Sequence, residues 1–395
     1  MTKWVFRTYI LSAATLFLGC EANNDSVSGT YSYPYTLVLS PDEFRFRIDD
    51  STSYESNYLQ VSTFKGTEVL MVESKHKNSI QYYSLETSEK VHEIRLAKEG
   101  PFKINEIHGF SVISQDSILV FDKWRPQVML IDSKGNIIRR IELTSNRILN
   151  HASMTRLPNV IIDGKLCMFV FPTIAKDDPR LFEGNIFFEL VIDLKRGEST
   201  FLNFTWPECY KGKKWTYYHT FPSRVKNTND KLVYSFGADP NLYEVALDGS
   251  VEMHLAKSDY IEDIRPYKPT ENEGKVFLET GVYGMIIYDR YRKLYYRVAG
   301  LETVPFFTDG RLKQTSCKKY SLILLDSNFN KVGETLLLPV ENYLIKDWFV
   351  CKKGLCISTA NPLNRTINEN EMRFNLLVLD TLKTGPTESK VLLAK

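Results

Sequence analysis

The chain has 395 residues and a formal net charge of +2, with 43% hydrophobic and 25% charged residues. That balance excludes wholesale disorder and leaves either two or three ordinary domains or one large all-β body. Aromatic residues make up 13% of the chain and alanine is scarce, which favours strands over helices.

Lys3 and Arg7 precede an apolar run at residues 9–18 that ends at Gly19-Cys20. The run is shorter than the roughly 20 apolar residues a spanning helix needs, and basic residues ahead of a short apolar stretch read as an export signal. Residues 21–29 are polar and read as a tether. Phe17-Leu18-Gly19-Cys20 resembles the lipobox of bacterial lipoproteins, with Phe17 where that motif has leucine. The resemblance implies cleavage before Cys20 and acylation of its sulfur and new amine, enough for stable anchoring. It also implies the outer membrane, facing either the periplasm or the cell surface, because Glu21 replaces the aspartate tied to inner-membrane retention. The expected organisation is a signal peptide at residues 1–19, a tether at 20–30 and a folded body at 31–395. Lys3 and Arg7 are the only charges in the signal. The mature chain is then neutral and lacks the electrostatic attraction that drives nucleic-acid binding.

Through the body one phrase recurs: apolar strand, short loop, apolar strand, acidic or polar turn, third strand. Its clearest copy is Asp116-Ser117-Ile118-Leu119-Val120-Phe121-Asp122 followed by residues 127–143, with Asp132-Ser133-Lys134-Gly135-Asn136 supplying hairpin chemistry. The residues at the corresponding turn, Glu86, Asp132, Asp193, Asp248, Asp326 and Asp380, recur about every 59 residues, the mark of a repeat architecture. Six such units predict an all-β fold, a six-bladed β-propeller. Residues 31–39 are left over, and are expected to add a strand to the last blade and close the ring.

Four stretches carry candidate chemistry. The insert at residues 206–224 sets Trp215, Tyr217, Tyr218 and His219 beside Lys213, Lys214 and Arg224. Flat aromatics next to cations suit a sugar ring or a protein partner, or else cap a blade interface as core. Residues 288–297 alternate tyrosine with charge, so Arg290, Arg292 and Arg297 could line a site for an anionic ligand or lie along a solvated outer strand. Cys351 and Cys356 flank Lys352-Lys353-Gly354-Leu355; a four-residue hairpin turn would oppose them, either as a strained disulfide or as two small hydrophobes. The six histidines, His76, His92, His108, His151, His219 and His254, are spread along the units and form no spaced metal motif. Nucleophile elbows, Walker loops and dinucleotide fingerprints are missing from any suitable context, so no catalytic residue, metal or cofactor is expected.

Lys98-Glu99-Gly100-Pro101, the Asp116–Asp122 strand and Ile131-Asp132-Ser133-Lys134-Gly135 together look like a blade of the NHL-like and TolB-like six-bladed propellers. With Gly19-Cys20 and residues 288–297, the chain resembles the uncharacterised lipid-anchored propellers of Bacteroidetes-type bacteria. That resemblance implies fold and location, and no chemistry. The expected role is a binding module or scaffold for an envelope protein or glycan. The competing role is a glycan hydrolase or lyase with its site at the channel mouth.

Overall fold

Along the strands of the clearest repeat, neighbouring residues bury on opposite sides. In a computed structural model, Leu119, Phe121, Val128 and Ile141 pack into one cluster, while Ile118, Val120, Met129 and Ile131 pack into another. This two-residue alternation with both sides apolar is what a sheet buried on both faces requires. The structure describes residues 33–381, apart from residues 57, 101–102, 126, 144–150, 173, 175–177 and 185. The expected signal, Cys20 and the tether lie outside the described residues.

Six four-stranded antiparallel sheets follow in chain order. Blade I holds Leu59–Phe64, Thr67–Ser74, Ser79–Ser84 and Lys90–Arg95; blade II holds Ile107–Ser114, Ser117–Asp122, Gln127–Ile131 and Ile137–Glu142. Blade III holds Val160–Ile162, Lys165–Phe169, Glu189–Asp193 and Ser199–Phe201; blade IV holds Ser223–Lys226, Leu232–Ser235, Asn241–Val245 and Val251–Leu255. Blade V holds Val282–Asp289, Leu294–Leu301, Lys319–Leu325 and Lys331–Leu337. Blade VI takes Leu344–Val350, Leu355–Ser358 and Glu371–Thr381 from the end of the chain, and its outermost strand, Tyr35–Arg47, from the beginning. The fold is a six-bladed β-propeller closed by an N-terminal strand.

The closing strand runs antiparallel to Glu371–Thr381 from Tyr35↔Thr381 to Arg47↔Glu371, with one register irregularity between Leu39 and Glu43. Six apolar clusters among the described residues correspond to the six blade junctions. Closure buries Phe44 and Phe46 with Leu70, Val72 and Tyr83 of blade I, and Leu37 with blade V.

The recurring aspartates explain the period. The side chains of Asp132, Asp193, Asp248 and Asp326 each accept backbone N–H bonds from their own turns, for instance Lys134 and Asn136 at 2.9 and 2.8 Å from Asp132. This is the Asx-turn preference written into the sequence. Two of the six positions differ. In blade I the capping oxygen belongs to Ser84 rather than Glu86. Asp380 sits in a strand opposite Thr36, because the strand after it comes from the other end of the chain.

Candidate functional site

Antiparallel blades put their connections on two faces. The short turns after the first and third strands share one, the turn face. The connections after the second strand, and those running to the next blade, share the other, the loop face. The longest of these occupy residues 170–188, 202–222 and 256–281.

The first strands are innermost, and those of blades IV, V, VI and I pack against one another. The ring axis between them is crossed by the chain itself. The Thr155 hydroxyl accepts the Leu59 N–H of blade I at 3.1 Å. The next residue, Arg156, donates from Nε to the Pro222 carbonyl at 3.0 Å and lies 4.6 Å over the Phe221 ring. Its own carbonyl accepts from Arg224 N and Ser223 Oγ of blade IV, both at 2.9 Å. Blades I and IV stand opposite in a six-membered ring, so this segment spans the channel. It presses on blade II as well: Gly109, at φ +84°, has no room for a Cβ, which would fall 1.7 Å from Ser153 Oγ.

Beside this bridge, where blade VI hands over to blade I, the loop face holds a cavity of about 400 Å³ lined by Ser53, Tyr54, Glu55, Ser56 and residues 73–76. Glu73 follows the apolar run Val69-Leu70-Met71-Val72 within its strand, which drives its carboxyl inward. The side chain is 1% exposed; Oε2 accepts the Gly109 N–H at 2.6 Å, while Oε1 has no hydrogen-bond partner and lies 3.7 Å from Lys75 Nζ. The adjacent Ser74 Oγ is also buried without a partner. Burial pushes Glu73 up to about 7, against the pull of Lys75 and the Gly109 N–H.

Asp347 of blade VI has the same character. It is buried, accepts the Ser56 N–H at 3.3 Å, and is pushed up to about 7 by burial. Two carboxyls, each pushed up to about 7 by burial, therefore flank residues 53–56. Glu106, whose charge is felt at Glu73, accepts the indole N–H of Trp124 at 3.1 Å. Trp124 is 61% exposed, on the loop face of blade II.

Sequence reasoning missed these residues. The available signal was an acid set directly against an apolar run, as in Met71-Val72-Glu73 and Asp347-Trp348-Phe349. A buried carboxyl there needs a reason to be kept.

The expected ligand residues are dispersed. Trp215 belongs to the cluster joining blades III and IV, with Trp206, Tyr210 and Phe236, so the insert is mostly core. His219 is fully buried; its Nε2 meets the Gly281 carbonyl at 2.9 Å and its Nδ1 the Thr216 hydroxyl at 2.8 Å, and burial holds it down to about 4. Arg224 is fully buried in an ion pair with Glu189, whose other oxygen accepts from Tyr234 at 2.6 Å. Trp215 and Arg224 are taken up by the blade III–IV junction, and His219 spends both ring nitrogens on Thr216 and Gly281. Tyr218 stacks on Phe277 at 3.8 Å, and of the four candidate rings Trp215, Tyr217, Tyr218 and His219, Tyr217 alone, 43% exposed, faces solvent.

Arg290 and Arg292 sit on the opposite, turn face. Arg292 pairs with Asp289 at 2.9 Å and donates to the carbonyls of Cys351 and Lys352, tying blade V to blade VI. Arg290 stacks on Tyr291, which donates to Glu68 of blade I. The expected sites thus lie on two faces and do not converge.

Cys351 and Cys356 hold free thiols 3.8 Å apart. The turn between them is tighter than expected: Cys351 and Gly354 exchange both backbone bonds, leaving Lys352-Lys353 as the loop. Glu244, Glu252 and His254 bring possible metal-ligand atoms within 4.8 Å of one another. Lys231 Nζ lies 3.0 and 2.9 Å from the two carboxylates, so the protein's own cation compensates them.

No helix among the described residues is long and apolar enough to cross a membrane. No protein of curated function matches the sequence. Residues 34–336 match the family defined as a domain of unknown function, DUF4221. The chain belongs to that family. A solved member from Bacteroides vulgatus ATCC 8482 is 23% identical, with a TM-score of 0.77 over 89% of this chain and 99% of its own. A Bacteroides fragilis NCTC 9343 protein described as exported is 11% identical, with a TM-score of 0.53 over 88% of this chain and 96% of its own. Both likenesses show the fold. For this DUF4221 chain, chemistry has to be argued from its own loop face.

Proposed function

We propose that the chain is an outer-membrane lipoprotein, anchored through Cys20, whose propeller binds a hydroxyl-rich saccharide segment of the envelope. The observation that carries this reading is the loop-face cavity. Its wall offers the hydroxyls of Ser53, Tyr54, Ser56 and Ser74, the carboxyls of Glu55 and Glu73, Lys75 and His76. A sugar presents both donors and acceptors, and this set matches both. Glu73 Oε1 and Ser74 Oγ, buried and without a hydrogen-bond partner, are groups that gain most from a ligand bond. Outside the cavity wall, on neighbouring blade II, Trp124 supplies a flat exposed surface of the kind on which a pyranose ring stacks. The description of the Bacteroides fragilis relative as exported is in keeping with an envelope address.

The test is a binding screen of residues 21–395 against envelope glycans, with Glu73→Gln and Trp124→Ala beside the wild type. Saccharide binding weakened tenfold or more by both substitutions supports the reading, and binding untouched by either refutes this site.

A second reading, glycan hydrolysis or elimination, is favoured by the two carboxyls held near 7, since a proton donor at neutral pH needs such a shift. Product release in the same screen, lost in Glu73→Gln and in Asp347→Asn, would replace binding by catalysis.

A further inference from the structure

The turn-face thiol pair of blade VI carries an inference independent of the saccharide site. Cys351 directly follows the first strand of the blade and Cys356 lies on the second; Phe349↔Cys356 and Val350↔Leu355 are in register, so the two cysteines sit diagonally across the hairpin with their sulfurs 3.8 Å apart. The hairpin between them is held from three sides. Arg292 donates to the carbonyls of Cys351 and Lys352, Glu68 accepts the Lys352 N–H at 3.3 Å, and a Cβ at Gly354 would strike the Leu377 carbonyl at 2.3 Å. The sulfurs are therefore kept on the same side of a rigid turn, beside Leu70, Val72, Phe349 and Phe374 in the junction of blades VI and I. This is the junction that the N-terminal strand seals.

We propose that Cys351 and Cys356 form a disulfide that staples the closing blade, made by thiol–disulfide exchange with an exported disulfide donor. The Cys351 thiolate attacks one sulfur of the donor disulfide, forming a mixed disulfide and expelling one donor thiolate. Cys356 then loses its proton and attacks the Cys351 sulfur, expelling the second. Two protein thiols are oxidised, and the donor disulfide is reduced to two thiols.

Two of the other described cysteines are poor competitors once the ring has formed. Cys167 and Cys209 are pushed up to about 12, chiefly by burial. Cys351 is drawn down to about 7, chiefly by the hydrogen bond with Cys356 and then by the backbone N–H groups of its turn. The more acidic thiol is the attacking one at neutral pH. Both sulfurs are buried in the finished ring. The exchange accordingly belongs to the stage before the N-terminal strand docks, when a local hairpin is already able to bring the pair together.

The chemistry is tested without reference to cellular address. The full chain is unfolded, refolded in detergent with oxidised and reduced glutathione, alkylated, and read by intact mass and peptide mapping. A product lighter by two hydrogens, with Cys351 and Cys356 linked and the other cysteines alkylated, is expected. Its unfolding midpoint should exceed that of the reduced chain, and the difference should vanish in Cys351→Ser and in Cys356→Ser. Alkylation of both residues after oxidative refolding, linkage to another cysteine, or a midpoint difference that survives in the serine variants would overturn the proposal. The same mapping on protein taken from the native envelope reads the address separately: pairing in glutathione with free thiols in the envelope places the error in the export reading.

Discussion

Glu73 gives the sharpest test of the candidate site, because its burial predicts a pH dependence with a definite sign. The ordinary value of 4.5 rises to about 7 in the fold. A carboxyl whose pKa is raised on folding stays protonated in the native chain at pH values where the unfolded chain has ionised it. Stability is then unaffected below 4.5, falls as the pH climbs from 4.5 toward about 7, and remains lower above that. At 1.36 kcal/mol per pH unit, the ionised, buried Glu73 costs about 3 kcal/mol at neutral to alkaline pH. Glu73→Gln keeps an oxygen for the Gly109 N–H and removes the titration. The variant should match the wild type near pH 4 and exceed it by about 3 kcal/mol near pH 8. Asp347 titrates in the same window, so the measured quantity is the difference between the two proteins in urea unfolding across that range, in which its contribution cancels. A difference that does not change with pH would refute the claim that Glu73 is a buried, proton-holding group, and with it the electrostatic description of the pocket.

Three further outcomes follow from buried polar contacts outside the pocket. Arg224→Met strands the Glu189 carboxylate and should destabilise the protein by about 3–5 kcal/mol in urea unfolding, whereas Arg224→Met with Glu189→Leu should recover most of that loss. Gly109→Ala sets a Cβ 1.7 Å from Ser153 Oγ at φ +84° and should cost about 1–3 kcal/mol for the backbone alone; adding Ser153→Gly should relieve the clash and leave the backbone part. Lys318, fully buried, donates from Nζ to the carbonyls of Phe277, Leu278 and Thr280 at the end of the helix Glu273–Glu279. Lys318→Met frees those carbonyls and should cost about 1–3 kcal/mol, with faster amide exchange appearing first at residues 276–281.

The blades were legible because their causes are local. Alternating burial and Asx-type turns repeat in each unit, so Asp132, Asp193, Asp248 and Asp326 mark the ring before any contact is known. Closure by the N-terminal segment was legible too, as a strand left over beside a blade that lacked one. The site was not, since its members come from the two ends of blade VI and from blade I, and their meeting depends on a ring that no local window contains. The insert around Trp215 misled for a related reason. Aromatics beside cations look the same whether they face a sugar or fill a junction, and only the position of Phe236 and Tyr210 around Trp215 decides between them. The buried Arg224 and Arg297 show the same limit. Arg297 spends its guanidinium on Ser235 Oγ and the carbonyls of Asp239, Pro240, Asn241 and Ala256, which a count of charges would assign to the surface.

Ring closure and the pocket share one piece of chain. The strand Tyr35–Arg47 seals blade VI, and the same segment then runs on to deliver Ser53, Tyr54, Glu55 and Ser56 to the cavity before entering blade I. Lys346 of the innermost strand of blade VI reaches Glu55 at 2.6 Å, and Asp347 holds the Ser56 N–H, so the cavity wall rests on both sides of the seam. A ligand in that cavity touches groups that come together only when the ring is shut, and it therefore binds the closed state in preference to the open one. By linkage it must stabilise closure by an amount set by its concentration relative to its dissociation constant. The anchor proposed at Cys20 would lie ahead of the same strand, so a pull between membrane and body would be transmitted first to the seam. A site at this junction is thus coupled to the integrity of the ring in a way that a site on the blade III–IV insert would not be.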